Sequence, residues 1–149
     1  MTETDLDTTP DLDNPDYYIN RELSLLQFHL RVLEQAMDER HPLLERLNFL
    51  LIFSSNMDEF FEIRVAGLKD RLETGAGQPG PDGMLPGEVL AEISRITHEA
   101  VERQYRTLNE VLLPRLAEEG VRFLRREHLT EKQETWIKRY FSEQIYPRL

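Results

Sequence analysis

Apolar residues recur every three or four positions through most of this chain, and that spacing restricts it to a helical fold. We expect the first helix to begin at Ser24, because Ser24 and Gln27 have the spacing of an N-terminal capping box. It should end near Glu39, since Pro42 disfavours helical geometry in the residue before it. Two adjacent apolar rows on this segment predict a wide buried face: Leu25, Phe28, Val32 and Ala36 in one row, and Leu26, Leu30, Leu33 and Met37 in the other.

A second helix is predicted to start at Pro42, whose missing N–H is no loss in a first turn. The dense apolar run over residues 43–53 indicates that this helix is buried on most sides. Three small polar residues at positions 54–56 then interrupt the pattern. We interpret Asn56 as the N-cap of a third helix that carries two acids in its first turn. These acids are Asp58 and Glu59.

One loop rich in glycine and proline divides the chain. Residues 74–87 contain five of the seven glycines and three of the eight prolines, a composition typical of turns. A long helix is predicted from Glu88 to a C-terminal cap at Gly120. Beyond it, the weak alternation of residues 121–124 predicts a short strand, and a capping box at Thr130 opens a last helix. The expected fold class is therefore all-α, a bundle of long helices followed by a short strand and a helix.

The acidic residues are concentrated at the N-terminus. The net charge is -10, and residues 1–16 contain six acids and no base. This tail has little to bury and is expected to be disordered. The overall acidity argues against nonspecific nucleic-acid binding, which requires clustered lysine and arginine.

Composition also excludes several classes of site and location. The chain has no cysteine, which excludes disulfides, thiolate metal sites and thiol catalysis. No apolar run approaches the roughly 20 residues that a membrane span needs. The N-terminus lacks the basic and apolar pattern of a secretory signal. We therefore expect a cytoplasmic protein without a membrane span.

No complete active site is visible in the sequence. The four histidines lack an evident orienting partner, and we interpret them as surface or structural residues: His29, His41, His98 and His128. Neither a paired Glu-x-x-His motif nor a phosphate-binding P-loop is present. On residue chemistry alone, Asp58 and Glu59 are helix-terminal acids that pair with an arginine such as Arg64 or Arg46. We assign no catalytic residue and no metal ligand to this chain.

The polar residues at 54–56 have two interpretations. In one, they form a turn between helices that Asn56 caps. In the other, they form a polar notch where the Asn56 amide, both donor and acceptor, binds a ligand edge such as that of adenine. From the spacing alone, the first interpretation is favoured.

Several blocks of this chain, taken in order, resemble one enzyme family. The most specific is Ser-Ser-Asn-Met-Asp-Glu-Phe-Phe at residues 54–61, followed by Arg-Val-Ala-Gly-Leu-Lys at residues 64–69. With these blocks, residues 17–149 resemble bacterial polyphosphate kinases of the long, multidomain type. Leu25 departs from the pattern, because many members have tryptophan there, and this should change packing more than chemistry. The remaining matches are residues 18–24, Phe28, and residues 31–33, 42–47 and 49–50.

The resemblance implies an activity and an order of domains. Family members transfer the γ-phosphate of ATP reversibly to polyphosphate, through a phosphohistidine and with Mg²⁺. An N-terminal helical bundle precedes a head domain and two C-terminal catalytic domains. Accordingly, residues 1–16 are expected to be a tail, residues 17–119 the helical domain, and residues 120–149 the beginning of the α/β head domain. The catalytic histidine and the Mg²⁺ ligands belong to the later domains, which are the expected partners of this chain together with ATP, ADP and polyphosphate.

One binding position carries over from the family. The asparagine of its Ser-x-Asn-x-Asp-Glu-Phe motif binds the base region of ATP, and that residue is Asn56 here. This reverses the preference and favours the polar notch. Candidate supporting residues are Ser55, Asp58, Glu59 and Arg64.

Two alternatives remain open at this point. One is a noncatalytic helical module that serves interaction or homo-oligomerisation, since the wide apolar faces of the first and last helices need a covering partner. The other is peripheral membrane association of the full-length enzyme in place of a purely cytoplasmic location.

Overall fold

A computed structural model describes residues 11–75 and 77–148 of the chain. The expected disordered tail falls largely on residues 1–10, which lie outside the described residues. Just beyond them, the Tyr18 hydroxyl donates a hydrogen bond of 2.6 Å to the carbonyl oxygen of Leu12. This contact restrains the backbone conformation of the segment that precedes the first helix.

The chain divides into two compact units, one ending at Leu112 and the other beginning at Leu113. The first unit is helical throughout its regular structure, as the all-α prediction requires. Its α-helices are α1 (Arg21–Met37), α2 (Leu43–Glu59), α3 (Ala66–Glu73) and α4 (Pro86–Arg106), and π-helical segments follow α2 (Phe60–Val65) and α4 (Thr107–Leu112).

Helix α1 begins three residues before the predicted start at Ser24. Asn20 is its N-cap, and the Asn20 side chain accepts from the N–H of Leu23 at 3.0 Å. The N–H of Ser24 already donates to the Asn20 carbonyl, so Ser24 lies inside the first turn. The predicted start was wrong because Asn20 caps at least as well as serine, and the earlier cap adds a turn of hydrogen bonds.

Helix α2 continues through residues 54–56, and the predicted interruption there is wrong. The helical backbone passes directly from α2 into the π-helical segment and then into α3. Phe53, Met57 and Phe60 are buried on either side of the polar tripeptide, so tertiary packing holds this stretch helical. Serine and asparagine disfavour a helix interior only slightly, and packing overcomes that preference.

The glycine-rich loop separates α3 from α4 as predicted. Helix α4 begins at Pro86, two residues before the expected start. The Glu88 carboxylate accepts from the N–H of Leu85 at 2.8 Å and so satisfies a free donor at the start of the helix. Its buried residues, spaced three or four apart, are Pro86, Val89, Ile93, Ile96 and Ala100.

The core of the first unit forms where α1 packs against α2 and α4, while α3 packs against α4. The buried Arg46 side chain joins the first two helices. Its Nε donates to the carbonyl of Ala36 at 2.9 Å, which satisfies a free acceptor at the end of α1. Fully buried side chains of the core include Leu26, Leu33, Phe53 and Ile93.

The second unit contains α5 (Leu113–Glu118) and α6 (Glu131–Tyr140). Gly120 follows α5 with a φ of +85°, and the Val121 N–H donates to the Leu116 carbonyl at 2.8 Å. This is the hydrogen bond of a glycine-terminated helix, so the predicted cap at Gly120 is confirmed.

The expected strand at residues 121–124 is not observed. These residues have no regular secondary structure, and no partner strand lies in the described part of the chain. A strand without a neighbour leaves its backbone groups unpaired, so the weak alternation alone does not produce one. The predicted capping box at Thr130 is confirmed, since the Thr130 hydroxyl accepts from the Gln133 N–H at 3.3 Å.

Helix α6 buries none of its residues. The rings of Trp136 and Tyr140 stack on each other with centroids 5.1 Å apart, yet both remain about half exposed. Despite these exposed apolar side chains, the described helices include none with the length and hydrophobicity of a membrane span.

Candidate functional site

A cavity of about 310 Å³ opens between α1 and the end of α2. Its volume lies at the small end of the range found for small-molecule sites. Both walls are helical, which holds the side chains at fixed positions. The lining residues are Leu25 and His29 from α1, Asn56 and Glu59 from α2, and Phe60, Ile63 and Arg64 from the π-helical segment.

The α2 wall follows from helical spacing. Asn56, Phe60 and Arg64 are four residues apart, so they occupy one side of the helix on successive turns. The π-helical segment Phe60–Val65 begins one turn after Asn56. Such segments are rare and occur frequently at functional sites.

Asn56 does not cap a helix, contrary to the first interpretation of the polar tripeptide. It lies inside α2, and its carbonyl accepts from the N–H of Phe60 as part of the helix. The side chain is half-buried, and its carboxamide makes no hydrogen bond to any residue that the structure describes. It therefore keeps both a donor and an acceptor free at the cavity wall.

The structure separates the predicted supporting residues into two pairs. Glu59 and Arg64 line the cavity together with Asn56. Ser55 and Asp58 are exposed and lie outside it. With 3.6 residues per turn, positions one before and two after Asn56 face other directions.

The acids are not paired with the arginines proposed for them. The Arg46 guanidinium donates instead to main-chain carbonyls at the end of α1. Among the described residues, the ion pairs include neither Glu59 nor Arg64. The cavity thus has one carboxylate and one guanidinium, both available to a ligand.

His29 is the unexpected member of the site. It is 7% exposed, and its ring lies edge-on to Phe60 with centroids 5.9 Å apart. Burial lowers the pKa of His29 below its usual 6.5, and the nearby Glu59 carboxylate opposes this shift in part. The imidazole is therefore uncharged at neutral pH.

Sequence reasoning missed His29 as a lining residue, although a signal was present. It lies between Leu26 and Leu33 on the buried face of α1, where an apolar side chain would pack without a desolvation penalty. A titratable residue inside an apolar stripe is a candidate for a site. Only the position of α2 reveals that the stripe borders a cavity.

Two other histidines of the first unit, His41 and His98, do not line this cavity. His41 Nε2 is 3.0 Å from the Gln35 side-chain oxygen, and His98 Nδ1 is 2.7 Å from the Ser94 carbonyl. In the described ranges, no three candidate side chains come close enough together to hold a metal ion. The fold and site together define a class: an all-α domain whose cavity has the means to bind a small polar ligand by hydrogen bonds between apolar walls.

A larger cavity, of about 450 Å³, lies near the start of α1 beside the glycine-rich loop. Asn20, Arg71 and Asp82 contribute to it. None of the residues in the specific block at 54–61 lines it. We therefore place the candidate site at the smaller cavity.

Comparison with known proteins gives the family. The model of the polyphosphate kinase N-terminal domain matches residues 18–124. The chain therefore belongs to the polyphosphate kinase family and contains its N-terminal domain, as the blocks at residues 54–61 and 64–69 predicted.

Similar proteins support this assignment both by sequence and by structure. A polyphosphate kinase of Pseudomonas aeruginosa is 60% identical over 136 residues, which are 91% of this chain and 20% of that protein. One from Halalkalibacterium halodurans is 47% identical over 150 residues, 21% of its length. The crystal structure of polyphosphate kinase from Porphyromonas gingivalis matches with a TM-score of 0.68 and 31% identity, over 87% of this chain and 18% of that one. The chain thus spans about a fifth of the length of these relatives.

Proposed function

We propose that this chain is the nucleotide-contacting N-terminal part of an enzyme that transfers the γ-phosphate of ATP reversibly to polyphosphate. In this proposal the cavity between α1 and α2 holds the adenine base, and Asn56 recognises its edge. The observation that carries the proposal is the unbonded Asn56 carboxamide on the cavity wall, within the family's most specific sequence block.

The chemistry of the lining suits a purine. Leu25, Phe60 and Ile63 offer apolar surface for the faces of a flat ring. An asparagine amide matches the paired donor and acceptor on an adenine edge, as it does in nucleic-acid recognition. The Arg64 guanidinium is a candidate partner for the ribose or a phosphate oxygen.

The phosphoryl transfer itself is assigned to the parts of the enzyme beyond this chain. The reaction depends on positioning the phosphates and on neutralising their charge. The described residues do not form a carboxylate and histidine cluster that would suit Mg²⁺. We therefore place the Mg²⁺ ligands, the phosphohistidine and the polyphosphate contacts in the later domains, and the whole enzyme in the cytoplasm, where ATP is available.

An Asn56→Ala substitution in the complete enzyme tests the adenine site. We expect the KM for ATP to rise from a few-fold to about a hundredfold, because one or two hydrogen bonds to the base are lost. Steady-state kinetics with varied ATP and saturating polyphosphate measure this change. The turnover number at saturating ATP should change much less than KM.

The matched control is Asn48→Ala, because Asn48 is an exposed asparagine on the same helix and outside the cavity. Its KM should equal that of the wild type. If Asn56→Ala also leaves the KM for ATP unchanged, Asn56 does not contact the base and the proposal fails.

A second function, contact with other domains or copies of the chain, is favoured by the exposed surface of the second unit. Trp136, Ile137 and Tyr140 on α6, with Phe141 beyond it, are each more than 40% exposed. Such a row of large apolar side chains is typical of a surface that another partner covers. Light scattering over a concentration series decides whether a second copy is that partner, since the measured mass then rises with concentration.

A further inference from the structure

The α1 wall of the cavity contains a polar group that the proposed function leaves without a role. The His29 ring is almost completely buried. Its Nδ1 is fully enclosed and has no hydrogen-bond partner among the described residues. Buried polar atoms without partners are few in native proteins, and each one calls for an explanation.

The surroundings of the ring indicate which nitrogen carries the proton. A buried N–H without an acceptor is tolerated less well than a buried lone pair, so the enclosed Nδ1 is the unprotonated nitrogen. The proton then resides on Nε2. Nε2 makes no hydrogen bond to the described residues, but it is not enclosed as Nδ1 is. Because the ring lines the cavity, Nε2–H is a donor that a ligand can reach.

The charge state of the ring agrees with this assignment. Burial lowers the pKa of His29, and Glu59 is the nearby acid that opposes the shift. Arg64, on the same π-helical segment as Phe60, is the other charged residue lining the cavity. The imidazole is therefore neutral, with one donor and one acceptor, under the conditions in which ATP binds.

We propose that His29 is a second base-recognising residue, whose Nε2–H donates to N1 of adenine while the Asn56 carboxamide binds the N6 amino group and N7. This inference rests on the proposed adenine site. It predicts selectivity for adenine, because N1 of adenine is an acceptor whereas N1 of guanine carries a hydrogen. A fixed donor at this position favours adenine over guanine.

The test combines a change in the residue with a change in the substrate atom. The complete enzyme and its His29→Phe variant are assayed with ATP and with its 1-deaza analogue, in which a C–H replaces N1 of the base. For the wild type we expect the analogue to have a KM about tenfold above that for ATP. Phenylalanine keeps an aromatic ring in the core but lacks the N–H donor. The His29→Phe enzyme should therefore have similar KM values for the two nucleotides. A variant that discriminates between them as well as the wild type does overturns the inference.

The kinetics of Asn56→Ala distinguish a failure of this inference from a failure of the proposed function. If Asn56→Ala raises the KM for ATP while His29→Phe retains full discrimination, this inference fails and the proposed adenine site stands. If Asn56→Ala has no effect on the KM for ATP, the proposed function itself fails.

Ring ¹⁵N chemical shifts of His29 in the 149-residue chain provide a test that needs neither a ligand nor a folded variant. They should identify Nδ1 as unprotonated, and a protonated Nδ1 contradicts the proposal.

Discussion

At the scale of single side chains, the candidate site rests on two polar groups, the Asn56 carboxamide and the His29 ring, that make no hydrogen bond to the described residues. Asn56 was found from its sequence block, because the block identifies one position on one helix. His29 was not, because its importance arises only where α2 brings Asn56 and Phe60 to the α1 wall. A local pattern identifies a residue on its own element, and packing determines what that residue faces.

His29 should make the stability of the fold depend on pH. An unfolded chain protonates this histidine near 6.5, whereas burial lowers its pKa in the fold. The unfolded state therefore binds more protons below that value, and the free energy of unfolding falls as the pH decreases. We expect the urea midpoint to decrease between about pH 7 and pH 5, and His29→Phe to show a smaller decrease.

Urea unfolding followed by circular dichroism at each pH measures this difference. His98 is exposed, so His98→Gln is the matched control and should keep the pH dependence of the wild type. An unchanged pH dependence in His29→Phe would show that His29 is not the titrating group.

At the scale of elements, Arg46 connects the end of α1 to the first turn of α2. Arg46 is 3% exposed, and its guanidinium donates to the carbonyls of Ala36 and Met37. An Arg46→Met variant keeps much of the side-chain volume but removes both donors. We expect it to lower the free energy of unfolding by about 1–3 kcal/mol, because buried carbonyls lose their partner.

Chemical denaturation of both proteins at neutral pH measures the loss. The matched control is Arg106→Met, since Arg106 is an exposed residue that forms an ion pair with the exposed Glu102. Exposed pairs contribute roughly 0–1 kcal/mol, so this variant should remain near wild-type stability. Equal effects of the two substitutions would contradict the role given to Arg46.

The helices and the glycine-rich loop were predictable because apolar spacing and proline positions are local properties of the sequence. The continuity of α2 was not, since the polar residues at 54–56 look like a break until Met57 and Phe60 are seen to be buried. Nor was the absence of a strand at residues 121–124, because strand formation requires a partner that alternation alone does not reveal. Both of these errors occur where tertiary packing decides between two locally acceptable structures.

At the scale of the whole molecule, the chain is two compact units and about a fifth of the length of its relatives. The proposed function assigns recognition of the nucleotide to this chain and phosphoryl transfer to the rest of the enzyme.

The 149-residue chain alone should therefore make no polyphosphate from ATP. The assay incubates the chain with ATP and Mg²⁺ and measures phosphate incorporation into polymer. The complete enzyme is the positive control, and a dilution series of it sets the lowest activity that the assay detects. Polymer formation by the short chain alone would overturn the assignment of the chemistry to the later domains.

The buried guanidinium of Arg46 also bears on how rigid the recess is before a ligand binds. It joins the C-terminal end of α1 to the first turn of α2, and the buried side chains of Leu26, Phe53 and Phe60 continue the packing of these helices toward the recess. Under the proposed function this packing preorganises the recess, so that little conformational entropy would be lost when a base binds, and affinity would depend on the quality of the contacts more than on the flexibility of the walls.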